Sequence, residues 1–147
     1  MAQPISFRRL DEELARISLT GQDRVRFLSG MVTCDVKSLS AGSGSYGALL
    51  TVKGKVVSDF IVLSRGDAGL FLIVPAPAKQ RFWDALDRYI ISDDAVLHDD
   101  SASVAHLGVY GKGAQAWLLG DAPALAPYHH VERDGLSIVA CRELGED

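Results

Sequence analysis

Two apolar stretches in the middle of the chain are separated by a short polar loop. The stretches SYGALLTV and KVVSDFIVL flank Lys53 and Gly54 within residues 45–63. β-branched and aromatic residues on both sides of a short loop that ends in glycine are typical of a β-hairpin. The pattern therefore predicts two paired strands joined by a two-residue loop at Lys53 and Gly54.

The register of this hairpin decides which side chains share a face, because side chains alternate across a strand. With a two-residue loop, Ala48 faces Asp59, and Leu50 faces Val57. Tyr46 is then a diagonal neighbour of Asp59 at about 7–8 Å between Cα atoms, within reach of a long side chain. We therefore expect these five side chains, and Ile61 opposite Tyr46, on one face of the sheet.

Asp59 is the only acidic residue in an otherwise apolar strand. Burying a carboxylate costs several kcal/mol unless it is paired or hydrogen-bonded. Asp59 therefore lies at a strand edge, in water or capping a neighbouring loop, or it lies on the floor of a pocket beside Tyr46. The residues alone favour the first interpretation.

The spacing of apolar residues predicts further elements on both sides of the hairpin. We expect a strand from Leu14 to Leu19 and then a helix with Thr20 as its N-cap. A strand from Leu70 to Val74 precedes a second helix, whose apolar stripe has the i, i+4, i+7 spacing of a core-facing surface. The residues of that stripe are Phe82, Leu86 and Tyr89.

The last third of the chain predicts shorter elements. Two strands are expected over Ala95 to His98 and Val104 to Tyr110, then a helix over Ala114 to Leu119 and a final strand over Gly135 to Cys141. The resulting order is β-α-β-β-β-α-β-β-α-β. It predicts an α+β fold, in which helices pack on a mainly antiparallel sheet around a ferredoxin-like split βαβ core.

Composition and charge argue against some classes of function for this chain. The 147 residues suit one domain, and the net charge of −4 without a Lys/Arg run argues against binding to nucleic acid or an anionic membrane. The apolar runs are too short to span a bilayer. The N-terminal sequence MAQPISFRRL has no apolar signal-peptide core, so we expect a cytoplasmic protein.

No metal site is expected from the sequence. Cys34 and Cys141 are isolated and are expected to be free thiols. Neighbouring His129 and His130 point to opposite faces of an extended strand, so they are poorly placed to bind one metal ion. Four aspartates between residues 93 and 100 lack the spacing of a calcium loop, and we interpret them as solvated turn residues.

Three segments together resemble a known family. They are LTGQDRVRFLSGMVTCDVKSL (residues 19–39), GSYGALLTVKGKVVSDFIVL (residues 44–63) and the terminal CRELGED. Their patterns, GxDRxxFLxGxxTxDVxxL and YxxLLTxKGKxxSD, resemble the N-terminal folate-binding domain of the glycine cleavage T-protein. That protein is an aminomethyltransferase, and its relatives assist iron–sulfur cluster assembly. Such proteins are about twice this length or more, so we expect an N-terminal fragment or excised domain.

The resemblance implies a tetrahydrofolate pocket. Tyr46 matches a folate-contacting tyrosine, and Asp59 matches the second member of an Asp-Asp pair, near the nitrogen that receives the one-carbon unit. The first acid of that pair is Ser58 here, which would leave folate binding without transferase chemistry if that acid were the catalytic one. Glu146 matches a glutamate that holds the pterin ring, since a carboxylate accepts two parallel hydrogen bonds from an amino-pyrimidine edge.

Three functions follow as expectations. The first is a tetrahydrofolate-binding domain of the cluster-assembly branch, to which the loop Thr51 to Lys55 is similar, with iron–sulfur client proteins as partners. The second is a true aminomethyltransferase, in which Asp59 is catalytic and a lipoyl carrier protein is the partner. The third is a non-catalytic interaction domain. A fragment is also expected to expose apolar surface that a homodimer would cover.

Overall fold

The computed structural model describes residues 4–141, which fold around a five-stranded antiparallel sheet. The strands are β1 (Ser6–Arg9), β2 (Leu14–Thr20), β3 (Gly44–Leu50), β4 (Val56–Ser64), β5 (Leu70–Pro75), β6 (Val96–Asp99), β7 (Leu107–Tyr110), β8 (His130–Arg133) and β9 (Leu136–Val139). The helices are α1 (Arg24–Ser29), α2 (Lys79–Asp87) and α3 (Ala114–Leu119), with short 3₁₀ turns at Gly66–Ala68 and Ala76–Ala78.

The main sheet has the strand order β3-β4-β5-β2-β6, and every neighbouring pair is antiparallel. Strands β4, β5, β2 and β6 follow the order of a ferredoxin-like split βαβ unit, with α2 connecting β5 to β6 and β3 added at the edge. Two further ribbons pair β1 with β7 and β8 with β9. The predicted α+β class with a mainly antiparallel sheet is confirmed.

The sheet separates two apolar cores because residues alternate across β4. Phe60 and Val62 point toward the helices, whereas Ile61 and Leu63 point to the other face. We call these the helix-side core and the second-face core. Buried members of the helix-side core include Leu28, Leu49, Phe60, Val62, Leu72, Phe82 and Leu86. The second-face core contains Leu10, Leu14, Ile61, Leu63, Phe71 and Ile73.

Helix α2 closes the helix-side core. Phe82 and Leu86 are fully buried, and the Phe82 ring meets Phe60 edge-on at 5.4 Å between centroids. The predicted stripe is therefore confirmed for these two residues. It is wrong for Tyr89, which lies beyond the end of α2 and is 39 % exposed.

The start of α1 differs from the prediction. Thr20 is still part of β2, where it pairs with Val96, so it cannot cap the helix. Asp23 occupies the N-cap position without capping through its side chain. Its carboxylate instead accepts a hydrogen bond from the backbone N–H of Asp94 at 2.8 Å, which ties the start of α1 to the turn before β6.

Two strands were absent from the prediction, β1 and β8. The residues of β1 are all exposed, so the segment lacks the apolar alternation that signals a strand. Strand β8 forms a hairpin with β9 through Asp134 and Gly135, both of which have positive φ values, 52° and 79°. Such a pair of positive φ angles is typical of the tight turns that join hairpin strands.

Candidate functional site

The loop of the central hairpin is longer than the sequence predicts. Strand β3 ends at Leu50 and β4 begins at Val56. The N–H of Thr51 donates to the carbonyl of Lys55 at 2.8 Å, and the N–H of Gly54 donates back to the Thr51 carbonyl at 2.9 Å. Gly54 has a φ of 82°, which glycine adopts without strain. The predicted two-residue loop is therefore wrong, since three residues lie between Thr51 and Lys55.

The longer loop introduces a bulge that changes one face of the hairpin. Leu50 pairs with Val56 instead of Val57, and Val57 packs against the helix-side core. The expectation that Val57 shares a face with Asp59 is therefore wrong. Farther from the loop the predicted register is confirmed, with the pairs Ala48–Asp59 and Tyr46–Ile61.

Tyr46 and Asp59 contact each other across the two strands. The hydroxyl of Tyr46 donates a hydrogen bond to Oδ2 of Asp59 at 2.6 Å. Asp59 is partly buried and pairs with Ala48 of β3, whereas pairing of β4 with β5 begins only at Ile61, so the strand-edge interpretation stays open beside the pocket interpretation. Its carboxylate has the hydrogen-bond partner that its burial requires.

A second tyrosine extends this contact. The ring of Tyr128 stacks on that of Tyr46 with 6.3 Å between centroids and 17° between planes. Tyr128 also packs against the second-face core, and its backbone has a φ of 63°, uncommon for a residue with a side chain. The sequence carries no local signal for this contact, because the two tyrosines meet only after the chain returns over the sheet.

The resulting surface combines an anion with stacked aromatic rings. Among residues 4–141, the one hydrogen bond to the Asp59 carboxylate comes from Tyr46 and uses Oδ2, which leaves Oδ1 as an acceptor. Tyr46 is 38 % exposed beside it. A charged acceptor next to a π-face suits a flat heteroaromatic ligand with N–H donors.

Ser58 lies on the opposite side of the strand. It is 7 % exposed, and its hydroxyl donates to the backbone carbonyl of Asp59 at 3.0 Å. Residues on either side of Asp59 point toward the helices, so an acid at position 58 would enter the helix-side core. The carboxylate that faces Tyr46 is the one this chain retains.

Glu146 lies outside the residues that the structure describes. Its predicted place in the pocket remains a prediction. Tyr46 and Asp59 are the two candidate site residues that the structure brings together.

Other acidic residues, histidines and cysteines lie outside the Tyr46–Asp59 pair. Within residues 4–141, no group of three or more His, Cys, Asp or Glu residues is arranged to hold a metal ion. In the acidic turn, Asp93 pairs with Arg26, and Asp94 accepts the N–H of Gln22. Cys34 and Cys141 are free thiols, as expected, and burial raises the pKa of Cys34.

None of the helices in residues 4–141 is long and apolar enough to cross a membrane. The fold is similar to that of a solved structure. The aminomethyltransferase T of the glycine cleavage system from Bartonella henselae superposes with a TM-score of 0.70 at 20 % identity, over 86 % of this chain and 35 % of that one.

Sequence comparisons identify relatives of two kinds. An aminomethyltransferase from Chloroherpeton thalassium is 34 % identical over 82 % of this chain and 34 % of its own length. The tRNA-modifying protein YgfZ from Sodalis glossinidius is 36 % identical over 74 % of this chain and 33 % of its own length. This chain thus spans about a third of the length of these relatives. The family model of the GCVT N-terminal domain matches residues 12–142, and the chain therefore belongs to that family.

Proposed function

We propose that this chain supplies part of a tetrahydrofolate site built on Tyr46 and Asp59. The observation that carries the proposal is the 2.6 Å hydrogen bond between these side chains beside the stacked ring of Tyr128. A pterin is flat and carries N–H donors, so it suits a surface that offers both a ring face and a carboxylate. Glu146 is proposed to hold the pterin edge.

Asp59 is the proposed catalytic group. Its Oδ2 accepts the hydrogen bond of Tyr46, and we propose that Oδ1 is the oxygen that meets the ligand. A carboxylate in this position would orient the folate nitrogen that receives the one-carbon unit and accept its proton, a proximity and general-base role.

The first candidate for the whole protein is the branch that assists iron–sulfur cluster assembly. Ser58 in place of an acid and the loop Thr51 to Lys55 support it. In this function the domain binds folate in the cytoplasm, and iron–sulfur client proteins are the partners.

The second candidate is aminomethyl transfer, and one observation favours it. Ser58 points away from Tyr46, so the substitution at position 58 leaves the acid of the candidate site in place. In this reaction the carbon–nitrogen and carbon–sulfur bonds of an S-aminomethyl-dihydrolipoyl group break, and the methylene carbon bonds to the two reactive nitrogens of tetrahydrofolate. Ammonia and the dihydrolipoyl thiol leave with the two protons that those nitrogens release. A lipoyl carrier protein is then the partner.

A nuclear magnetic resonance titration of the 147-residue chain tests the folate site. Addition of 5-formyltetrahydrofolate should shift the resonances of Tyr46, Asp59 and Tyr128, and it should leave those of α2 in place. The affinity should be low, because this chain spans about a third of its relatives. p-Aminobenzoylglutamate, which lacks the pterin, is the matched control and should not shift Asp59.

Shifts confined to other surfaces at the highest soluble ligand concentration would contradict the folate proposal. That result would favour the third function, a non-catalytic interaction domain. An activity assay on the protein at its native length separates the two candidate functions. It measures whether ammonia and methylenetetrahydrofolate form from an aminomethylated carrier protein. Product formation supports the transferase, and folate binding without product supports the cluster-assembly branch.

A further inference from the structure

A groove lies between the hairpin loop and α2, on the helix side of the sheet and away from Tyr46 and Asp59. Its cavity volume is about 610 Å³. Its walls combine apolar and charged side chains from both elements. The hairpin loop and residues 81–89 supply most of these side chains.

The apolar side chains of this groove project into solvent. Val52 at the hairpin loop is 81 % exposed, Val56 is 65 % exposed, and Tyr89 is 39 % exposed. A contiguous exposed apolar surface with a polar border is characteristic of interaction sites. A small-molecule site, by contrast, encloses most of its ligand, and protruding valines do not form such an enclosure.

The charges around the groove are predominantly positive. Lys53, Lys55, Arg81 and Arg88 line it, against the single carboxylate of Asp84. These four cations make no salt bridge within residues 4–141, while the chain as a whole has a net charge of −4. The groove is therefore a local cationic region on an acidic protein.

Two of the charged side chains in the groove are held in place. The Nε–H of Arg81 donates to the carbonyl of Val57 at 3.1 Å, which joins α2 to β4 and leaves the guanidinium charge at the groove. Asp84 accepts a hydrogen bond from Gln80 at 2.9 Å, so its carboxylate is directed along the helix. An incoming anion would therefore meet the guanidinium of Arg81 already held in place.

We propose that this groove binds an acidic polypeptide segment that carries a bulky apolar side chain. Its carboxylates would face the four cations, and its apolar side chain would cover Val52, Val56 and Tyr89. A second copy of this chain fits less well, because a two-fold contact through this face would bring identical cations together. The proposal is independent of folate, since the groove and Asp59 lie on opposite faces of the sheet.

The test uses synthetic fluorescent peptides and the 147-residue chain. The first peptide has a leucine flanked by glutamates, and its two controls replace either the leucine by serine or the glutamates by lysines. Fluorescence anisotropy should show binding of the first peptide that weakens as salt is raised, because salt screens exposed charges. Each control peptide should bind more weakly than the first.

Variants of the chain locate the site. Combining Lys53→Glu with Lys55→Glu should weaken binding about tenfold, because each exposed ion pair contributes modestly and both are reversed. Lys37→Glu combined with Lys112→Glu changes the charge equally at exposed positions outside the groove and should have no effect. Val52→Ser should weaken binding up to about tenfold. Leu136→Ser, an exposed position on β9, is its control.

Four results would overturn the proposal. Equal weakening by both charge pairs would show non-specific attraction, and equal binding of the serine peptide would show that the apolar side chain is not recognised. Binding of octanoate or of an oligonucleotide with the same dependence on Lys53 and Lys55 would assign the groove to a different ligand. Sedimentation of the unliganded chain as a dimer that Val52→Ser dissociates would assign it to a second copy.

Discussion

The two faces of the central sheet are built from alternate residues of the same strands, yet they differ in chemistry. The helix side is closed by Phe82 and Leu86 of α2 over Phe60, all fully buried. The second face has Ile61 in its core but also carries the Tyr46–Asp59 pair at its border. The difference shows that α2 covers the centre of one face with apolar side chains, while the other face retains polar groups at its border.

Polar groups on the second face are accommodated in part by hydrogen bonds, although Nε of Arg16 has no partner among the described residues. Arg16 is 1 % exposed, and its guanidinium donates to the carbonyls of Leu14 at 2.9 Å and Ser101 at 2.5 Å. Buried polar atoms in proteins are as a rule paired in this way. The second face therefore depends on specific contacts with segments far along the chain, whereas the helix side depends mainly on apolar packing.

Truncation of Phe60 is expected to have the largest effect on stability. Phe60→Ala should lower the free energy of unfolding by about 3–5 kcal/mol, because it removes the partner of Phe82 and leaves a cavity. Denaturant titration measures this loss. Ile91→Ala, at a position that is 87 % exposed, is the control and should change stability by less than about 0.5 kcal/mol. A loss from Phe60→Ala no larger than the control's would contradict the assignment of the main core to the helix side.

Ile61 is adjacent in sequence and points to the other face. Ile61→Ala should cost about 2–4 kcal/mol, because a smaller side chain is removed. Hydrogen exchange should increase around Val104, Tyr128 and Val139, which pack against the second-face core, more than in α2. Greater loss of protection in α2 would show that the two cores are not separately packed.

The fold was predictable where local patterns are strong. Apolar runs located β2, β4 and β5, and helical spacing located Phe82 and Leu86. The predictions were wrong where strand pairing prevailed over the local sequence pattern. Thr20 has the chemistry of a cap but is held by Val96, and the loop after Leu50 has one residue more than its Lys-Gly dipeptide suggests.

The candidate site was predictable only in part, for a related reason. The contact between Tyr46 and Asp59 follows from hairpin register, which is a local property. The stacking of Tyr46 on Tyr128 depends on the path of the chain back over the sheet, which the spacing of apolar residues does not predict. The position of Ser58 on the side of the strand opposite Tyr46 also follows from the hairpin register.

Acid should weaken the second face through two histidines. Burial lowers the pKa of His106 and of His130, and the Arg16 charge adds to the effect on His106. As the pH falls below about 6.5, the unfolded chain takes up protons that these folded imidazoles do not. Through these two histidines the free energy of unfolding should therefore decrease from pH 7 to pH 5, and their contribution should level off below their folded-state pKa values.

Denaturant titrations at several pH values measure this slope. Combining His106→Gln with His130→Gln should flatten it, and His129→Gln, at an exposed neighbouring position, should not. Loss of hydrogen-exchange protection at pH 5 should appear first in residues 104–139. A slope that survives the double variant would assign the acid sensitivity to other groups.

Asp59→Asn is expected to change stability least. It also gives the most direct test of whether the second face of the sheet differs from the helix side by carrying a ligand site. The Tyr46 hydroxyl can still donate to the amide oxygen of asparagine, so the free energy of unfolding should change by less than about 0.5 kcal/mol. Removing a partly buried charge should offset part of that loss. Folate affinity should fall by about 1–3 kcal/mol if a charged hydrogen bond to the ligand is lost. Asp67→Asn, in an exposed turn, is the matched control for both measurements. An Asp59→Asn protein that melts much earlier but binds folate unchanged would make Asp59 a structural acid, and the second face would then be a core like the first.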